Sequence, residues 1–255
     1  MRQRAALAAL AALVALACLP AAGSSAQEPA AAAVKELAPV EIRRKTNAGD
    51  LPYRSFFRIY TYLQSLVPPE PRLIDLYQRV NFNGMSQAEQ DAFMPESWAV
   101  AIVSATIDHT VPVSRGGYFL LPELKQAYEE GGTIMFNTQT AKGYMSMVWK
   151  LRIPETQTLS YADFAQALRE AEIVQKQIPW YRYGLRYVRR TGHDGLRACF
   201  LQPDGHIEID GKAAATVQHG ACQILKFDPA IARDGKAGIT FVGPVDIVTL
   251  QEVVP

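Results

Sequence analysis

The sequence lacks the local signatures that usually reveal an enzyme or a nucleic-acid-binding protein. It has no H-E-x-x-H zinc motif, no G-x-S-x-G nucleophile elbow, no Walker phosphate loop and no G-x-G-x-x-G dinucleotide motif. Its 26 basic residues nearly balance 25 acidic ones, so no strong field attracts a polyanion. We therefore expect a non-enzymatic protein with no cofactor and no nucleic-acid partner. A hydrolase whose site is assembled from distant residues is the alternative, because such a site leaves no local motif.

Long apolar runs are also scarce, and the one at the amino terminus has the layout of a secretory signal peptide. Arg2 and Arg4 precede an uncharged run over residues 5–17, and small residues lead up to Ala26. This arrangement predicts export and cleavage after Ala26. The run is shorter than the roughly 20 apolar residues that cross a bilayer. We therefore expect no transmembrane span and a periplasmic or secreted protein.

Cys18 supports an alternative in which the protein is a membrane-anchored lipoprotein. It follows Ala15-Leu16-Ala17 near the end of the leader, where a cysteine can receive a lipid anchor. A lipoprotein signal normally has a larger aliphatic residue at the position of Ala15. Cleavage after Ala26 is therefore the favoured interpretation.

Cysteine is scarce as well, and cleavage after Ala26 would leave only Cys199 and Cys222. Two cysteines in an oxidising compartment are expected to form a disulfide. The bond would close a loop of about two dozen residues and stabilise the fold by about 3 kcal/mol. The spacing matches neither a zinc site nor a C-x-x-C redox motif. Without the leader, 24 basic and 25 acidic residues leave a net charge of −1.

Composition divides the remaining chain into an arm and a globular region. Residues 27–50 are rich in Ala and Pro and predict a flexible arm. Residues 51–255 predict a globular region, as one domain or as two sub-domains over 51–180 and 181–255.

Apolar patterns in the globular region predict an α+β fold, with a mainly antiparallel sheet or β-sandwich core and two or three amphipathic helices. Residues 98–107 are apolar at nearly every position and predict a central strand. Residues 144–153 alternate and predict a half-buried strand with one face toward solvent. Helices are predicted over 56–66, after the capping box that starts at Ser86, and from Ser160 to Pro179.

Two further segments predict strands interrupted by turn residues. Residues 111–122, with Gly116-Gly117 at their centre, resemble the strand–turn–strand of carboxypeptidase regulatory-like β-sandwich domains. The resemblance implies a sheet-rich fold and carries no function with it. Residues 239–248 predict a strand in which Pro244 lies at an edge or a bulge.

The densest group of aromatic and basic residues follows the helix predicted from Ser160. An exposed patch of this kind predicts a surface for a sugar ring or an anionic partner. In the alternative, which is the commoner arrangement beside a helix end, half of the rings pack under the helix while the arginines stay hydrated. The candidate binding residues are Trp180, Tyr181, Tyr183 and Arg186.

The corresponding functional hypothesis is an exported protein with a binding or structural role, whose partner is a protein or a glycan of the cell envelope. A carbohydrate-binding module that uses the Trp180 region is an alternative to this hypothesis. The aromatic patch is the only segment that suggests a surface for such a partner.

One group of residues has the alternation of a metal site. His206, Glu208 and Asp210 fall on one side of a predicted strand and could offer three ligands to a cation. A hydrated strand face is the simpler explanation, so we predict no metal site. His193 and Asp194 are adjacent in sequence and would point in opposite directions on a strand, so they predict no catalytic dyad.

Overall fold

The computed structural model describes residues 50–82, 84–93, 99–136, 143–181, 185 and 192–251. The predicted signal peptide, Cys18 and the arm up to residue 49 lie outside these residues. Within them, the chain forms fifteen strands in three sheets, and five helices. Every strand pairing is antiparallel. The α+β class with a sheet-rich core is therefore confirmed.

The elements are numbered in chain order. The helices are α1 (Tyr53–Gln64), α2 (Gln87–Ala92), α3 (Lys125–Glu129), α4 (Tyr161–Gln177) and α5 (Pro229–Asp234). The strands are β1 (Leu51–Pro52), β2 (Ile74–Phe82), β3 (Ala99–Val103), β4 (Asp108–Pro112), β5 (Tyr118–Phe119), β6 (Thr133–Phe136), β7 (Gly143–Leu151), β8 (Thr158–Ser160), β9 (Gly195–Phe200), β10 (His206–Ile209), β11 (Lys212–Ala213), β12 (Thr216–His219), β13 (Cys222–Lys226), β14 (Gly238–Val242) and β15 (Val245–Gln251).

A seven-stranded sheet in the order β12-β13-β9-β15-β7-β2-β5 forms the centre of the fold, and we call it the large sheet. Alternate residues of each strand point to opposite faces. Its first face carries Leu76, Trp149, Leu196 and Leu250, which pack in the largest apolar cluster. Its second face carries Tyr77, Val148, Cys199 and Ile247, which belong to a smaller cluster.

Helix α4 covers the first face of the large sheet, as its sequence pattern predicts. The Ser160 hydroxyl accepts a hydrogen bond from the Asp163 amide at 2.9 Å and caps the helix. The helix ends at Gln177, two residues before Pro179. Its inward face joins the largest apolar cluster together with the small sheet β11-β10-β14-β8. The helical residues buried there are Tyr161, Phe164, Ala167, Ala171 and Val174.

A second small sheet, β1-β6-β3-β4, packs against α1 and the end of β2. Strand β3 lies between two neighbours and buries Val100, Ala101 and Ile102, so the prediction of a central strand is confirmed. The strand ends at Val103 because the next residues turn into β4. That turn is fixed by the Glu130 carboxylate, whose pKa is lowered to about 2 by hydrogen bonds from Gln126, Ser104 and Thr106.

The structure corrects two strand predictions where glycine and proline interrupt the chain. Residues 239–248 do not form one strand, because Gly243 has a φ of +92° and Pro244 separates β14 from β15, which lie in different sheets. Gly116 and Gly117 form the predicted turn with φ of +72° and +88°. However, the strands on either side, β4 and β5, lie in different sheets rather than in one hairpin.

The strand predicted over 144–153 is also only partly correct. Strand β7 buries Trp149 and Leu151 on the first face. The opposite face was predicted to meet solvent, yet Val148 packs there against the cluster that contains Cys199 and Cys222.

In the part of the chain that the structure describes, no helix combines the length and the apolar character that a membrane crossing requires.

Gly205 provides a test of how tightly the core is closed. A Cβ at this position would overlap the ring of Phe200, which has no exposed surface. Overpacking a closed core costs about 1–3 kcal/mol, so Gly205→Ala should lower the melting temperature by about 2–4 °C for each kcal/mol. Gly238→Ala is the control, because a Cβ there meets nothing within 4 Å. Equal melting temperatures for the two variants would contradict this packing.

Candidate functional site

The second face of the large sheet contains a buried charged cluster that forms where α2 covers it. Ser86 caps α2 with the predicted capping box: its hydroxyl accepts a hydrogen bond from the Glu89 amide, and the Glu89 carboxylate accepts one from the Ser86 amide. This start fixes the direction of a helix of only six residues. Asp91, on the last turn, therefore points into the protein and has a fully buried carboxylate.

Three basic side chains from three strands surround Asp91. Nη2 of Arg79 on β2 lies 2.5 Å from Oδ1, and Nε of Arg197 on β9 lies 3.2 Å from Oδ2. Nδ1 of His219 on β12 lies 3.4 Å from Oδ2. The two arginine side chains are 7% and 1% exposed and the histidine 22%, so the cluster is almost closed to water. We call these four residues the Asp91 cluster.

Tyr118 and Gly116 complete the surroundings of the two arginines. The Arg79 guanidinium donates to the Gly116 carbonyl at 2.9 Å and lies over the Tyr118 ring, 4.8 Å from its centroid. Arg197 donates through Nη1 to the Tyr118 hydroxyl at 2.5 Å. A Cβ on Gly116 would come within 2.9 Å of the Tyr118 ring and 3.3 Å of the Asp91 carboxylate. Glycine is therefore required here both for space and for its positive φ.

The predicted disulfide between Cys199 and Cys222 is present, on the same face as the Asp91 cluster. The two cysteines are register partners on β9 and β13, 23 residues apart in the chain. Arg197 lies two residues before Cys199, and His219 is the register partner of Cys222. The covalent bond therefore joins β9, which carries Arg197, to β13, which pairs with the strand that carries His219.

The Asp91 cluster has the chemistry of a structural clamp. Two guanidiniums face one carboxylate, and Nη2 of Arg197 is buried without a hydrogen bond. Buried charges of this kind are tolerated only when their partners are held in place. Because the Asp91 carboxylate is fully buried and the two guanidiniums are nearly so, a substrate has little access to them, and we interpret the cluster as the fastening that holds α2 on the sheet.

The sequence offered a partial signal for this cluster. Arg79 precedes Val80 in a buried strand, and Arg197 interrupts the run Leu196–Phe200, which is buried at every position. A charged residue inside such a run requires an internal partner. Asp91 and His219 carry no comparable signal, because both lie in polar segments.

The three residues weighed as cation ligands do not converge. Nε2 of His206 lies 3.3 Å from the Glu208 carboxylate, but Asp210 has a φ of +51° in the turn after β10 and accepts a hydrogen bond from the Gly238 amide at 2.8 Å. Asp210 is therefore used to hold the turn. Among the described residues, no group of three or more His, Cys, Asp or Glu is arranged to hold a metal ion.

The described part of the aromatic patch is exposed. Ile178, just after α4, is buried in the core, and the chain then becomes exposed at residues 180 and 181. Trp180 is 76% exposed and Tyr181 is 62% exposed. Their ring centroids are 6.0 Å apart and their planes meet at 82°. The other two candidates, Tyr183 and Arg186, lie outside the described residues.

His193 is half-buried at the entrance to β9. The Asp194 amide donates to the Gln251 carbonyl at 3.2 Å, and the Asp194 carbonyl accepts from the Phe227 amide at 2.7 Å, which fixes this segment. Nδ1 of His193 has no exposed surface and no hydrogen-bond partner. Desolvation lowers the pKa of His193 to about 4, against the opposing charge of Asp194. The imidazole is therefore neutral at neutral pH.

No protein-family profile matches this chain, and neither the curated proteins nor the solved structures contain a match to it.

Asp91→Asn should be strongly destabilising. The substitution keeps the shape of the side chain but leaves two buried guanidiniums without a counter-charge, which costs about 3–5 kcal/mol. Chemical denaturation measures this loss directly. The control is Glu172→Gln, which removes a 60% exposed carboxylate paired with Lys176 and should change stability by less than about 1 kcal/mol. A loss for Asp91→Asn as small as that of the control would show that the Asp91 cluster does not fasten α2.

His193 should make the protein less stable in mild acid. Its pKa is about 4 in the folded protein and 6.5 in the unfolded chain, so between these values the unfolded chain binds the extra proton. The free energy of unfolding therefore falls as the pH decreases from 6.5 toward 4, and His193→Gln should reduce that fall. Urea unfolding at pH 7 and pH 4.5 measures it. His206→Gln is the control, since the pKa of His206 is raised by hydrogen bonds to Asp204 and Glu208. If this control reduced the loss of unfolding free energy between pH 7 and pH 4.5, the assignment of that loss to His193 would be contradicted.

Proposed function

We propose that this protein is exported to the cell envelope and has a non-enzymatic binding role, with Trp180 and Tyr181 forming part of its binding surface. The observation that carries the proposal is the exposure of these two large rings, 76% and 62%, directly after a core helix. Exposed tryptophan and tyrosine are enriched at recognition sites, because one ring offers a large contact area for few rotatable bonds.

Two features support the exported location. The leader over residues 1–26 has the charge and apolar pattern of a signal peptide. The Cys199–Cys222 disulfide is of a kind that persists in oxidising compartments and is rare in the cytoplasm. Both point to the same compartment, from independent parts of the chain.

The ring geometry favours a particular kind of ligand. Planes that meet at 82° form a corner and do not form one flat surface. A single sugar ring can stack on the Trp180 face while Tyr181 bounds its side. An extended flat polysaccharide would need rings that lie in one plane. We therefore propose a glycan end or a single exposed sugar as the ligand.

Trp180→Ala should weaken glycan binding at least about tenfold, the effect of losing about 1.4 kcal/mol at a contact of this kind. Binding is measured by calorimetry with soluble envelope oligosaccharides selected on a glycan array. The melting temperature should stay within about 2 °C of the parent value, because the ring is exposed. Tyr181→Ala should have a smaller effect in the same direction.

The matched control is Val217→Ala, which removes a 54% exposed apolar side chain from β12. It should leave glycan affinity unchanged. A Trp180→Ala variant that binds glycans like the parent would contradict the proposal, and so would one that unfolds, since the ring would then belong to the core. Two results together would refute the binding surface as a whole: the parent protein binds no sugar on the array, and it also forms no photo-crosslink from position 180 in living cells.

A further inference from the structure

A second candidate binding site lies on the outer side of α4, in a cleft of about 410 Å³. One wall is a stripe of α4 that includes Ala165 and Leu168, and the opposite wall is formed by residues 192–194 and Phe227. The volume falls in the range of sites that hold small molecules. The inner side of α4 belongs to the core, so the helix that forms this wall is held in place.

Contacts with the rest of the fold hold Phe227 and Asp194, two of the residues that line the cleft. The Phe227 ring stacks on Tyr161 at 5.6 Å and meets the Phe164 ring edge-on at 5.4 Å. The backbone of Asp194 is bonded on both sides, to Gln251 and to Phe227. A preformed cleft loses little conformational entropy when a ligand enters.

The charges around the cleft cancel. Glu172 is paired with Lys176 at 2.6 Å, and Arg169 donates two hydrogen bonds to Gln166. Together with Asp194, these three charged residues in and beside the lining, Glu172, Lys176 and Arg169, have a net charge of zero. The His193 imidazole, which also lines the cleft, is neutral because it is desolvated. Neither an anion nor a cation therefore finds a complementary net charge.

We propose that this cleft binds a small uncharged molecule with an apolar body and one hydroxyl or amide group, and that the imidazole of His193 makes the hydrogen bond to that group. The apolar body packs on Ala165, Leu168 and Phe227. This site is separate from the proposed surface at Trp180, and its existence does not depend on that surface.

The test uses p-cresol, toluene and benzoate as probes of similar size that differ in one group. Binding is followed by the NMR signals of the His193 ring, assigned from their loss in His193→Phe. We expect saturable shifts with p-cresol, about fivefold weaker binding of toluene, as the loss of one hydrogen bond implies, and no saturation with benzoate. Absence of saturable shifts with p-cresol at millimolar concentration would overturn the proposal.

Variants separate the hydrogen bond from the apolar contact. His193→Phe keeps a flat ring and should bind p-cresol and toluene equally, as followed by the Leu168 methyl signals. Ala165→Leu should fill the cleft and abolish binding of both probes. His206→Phe, which replaces a 38% exposed imidazole elsewhere, should keep the fivefold preference. If His193→Phe also keeps the preference, His193 is not the hydrogen-bonding group and the proposal is wrong.

Discussion

The pairing of Asp91 with two arginines is the interaction on which the second face of the large sheet depends. Helix α2 has six residues and offers little apolar surface, with Gln90 and Asp91 as its buried residues. A helix this short is not stable alone. It is held because Asp91 forms ion pairs with Arg79 and Arg197, while Gln90 donates to the Val80 carbonyl at 2.6 Å. Polar contacts therefore do here what apolar packing does on the first face.

The disulfide and the Asp91 cluster support each other because both include a residue of β9. Arg197 and Cys199 lie on the same face of β9, and Cys222 on β13 is the register partner of both Cys199 and His219. A covalent bond between these strands limits the movement of the charged groups at its side. In return, the buried charges keep Tyr118 over the disulfide region, where it packs with Ile247. The disulfide joins β9 to β13, and the Asp91 cluster joins β9 to β2 and β12, so both interactions hold β9.

Much of the fold follows from local sequence patterns, whereas the cluster does not. The helix from Ser160 and the capping box at Ser86 each depend on residues close in the chain, so periodicity and capping chemistry predict them. The Asp91 cluster joins residues from four elements, with Arg79 and His219 far apart in the sequence. Local patterns contain no information on such pairings.

The errors of prediction have a common physical cause. At Pro244 the pattern of apolar residues continues, but the chain changes sheets because Gly243 adopts a positive φ that a strand does not allow. Val148 was assigned to solvent because alternation alone does not reveal what covers the second face. In both places the outcome depended on the tertiary arrangement, which the apolar pattern alone does not reveal.

Helix α4 connects the interior to both candidate binding surfaces. Its inward residues pack in the core, its outer stripe lines the cleft beside His193, and its end leads to Trp180. A ligand that binds only the folded chain stabilises it by mass action, by about 2.7 kcal/mol at one hundred times its dissociation constant. Because the cleft wall and the core share one helix, occupation of the cleft should slow local opening of α4. The packed core in turn holds α4 in place, so both binding surfaces are formed before a ligand arrives.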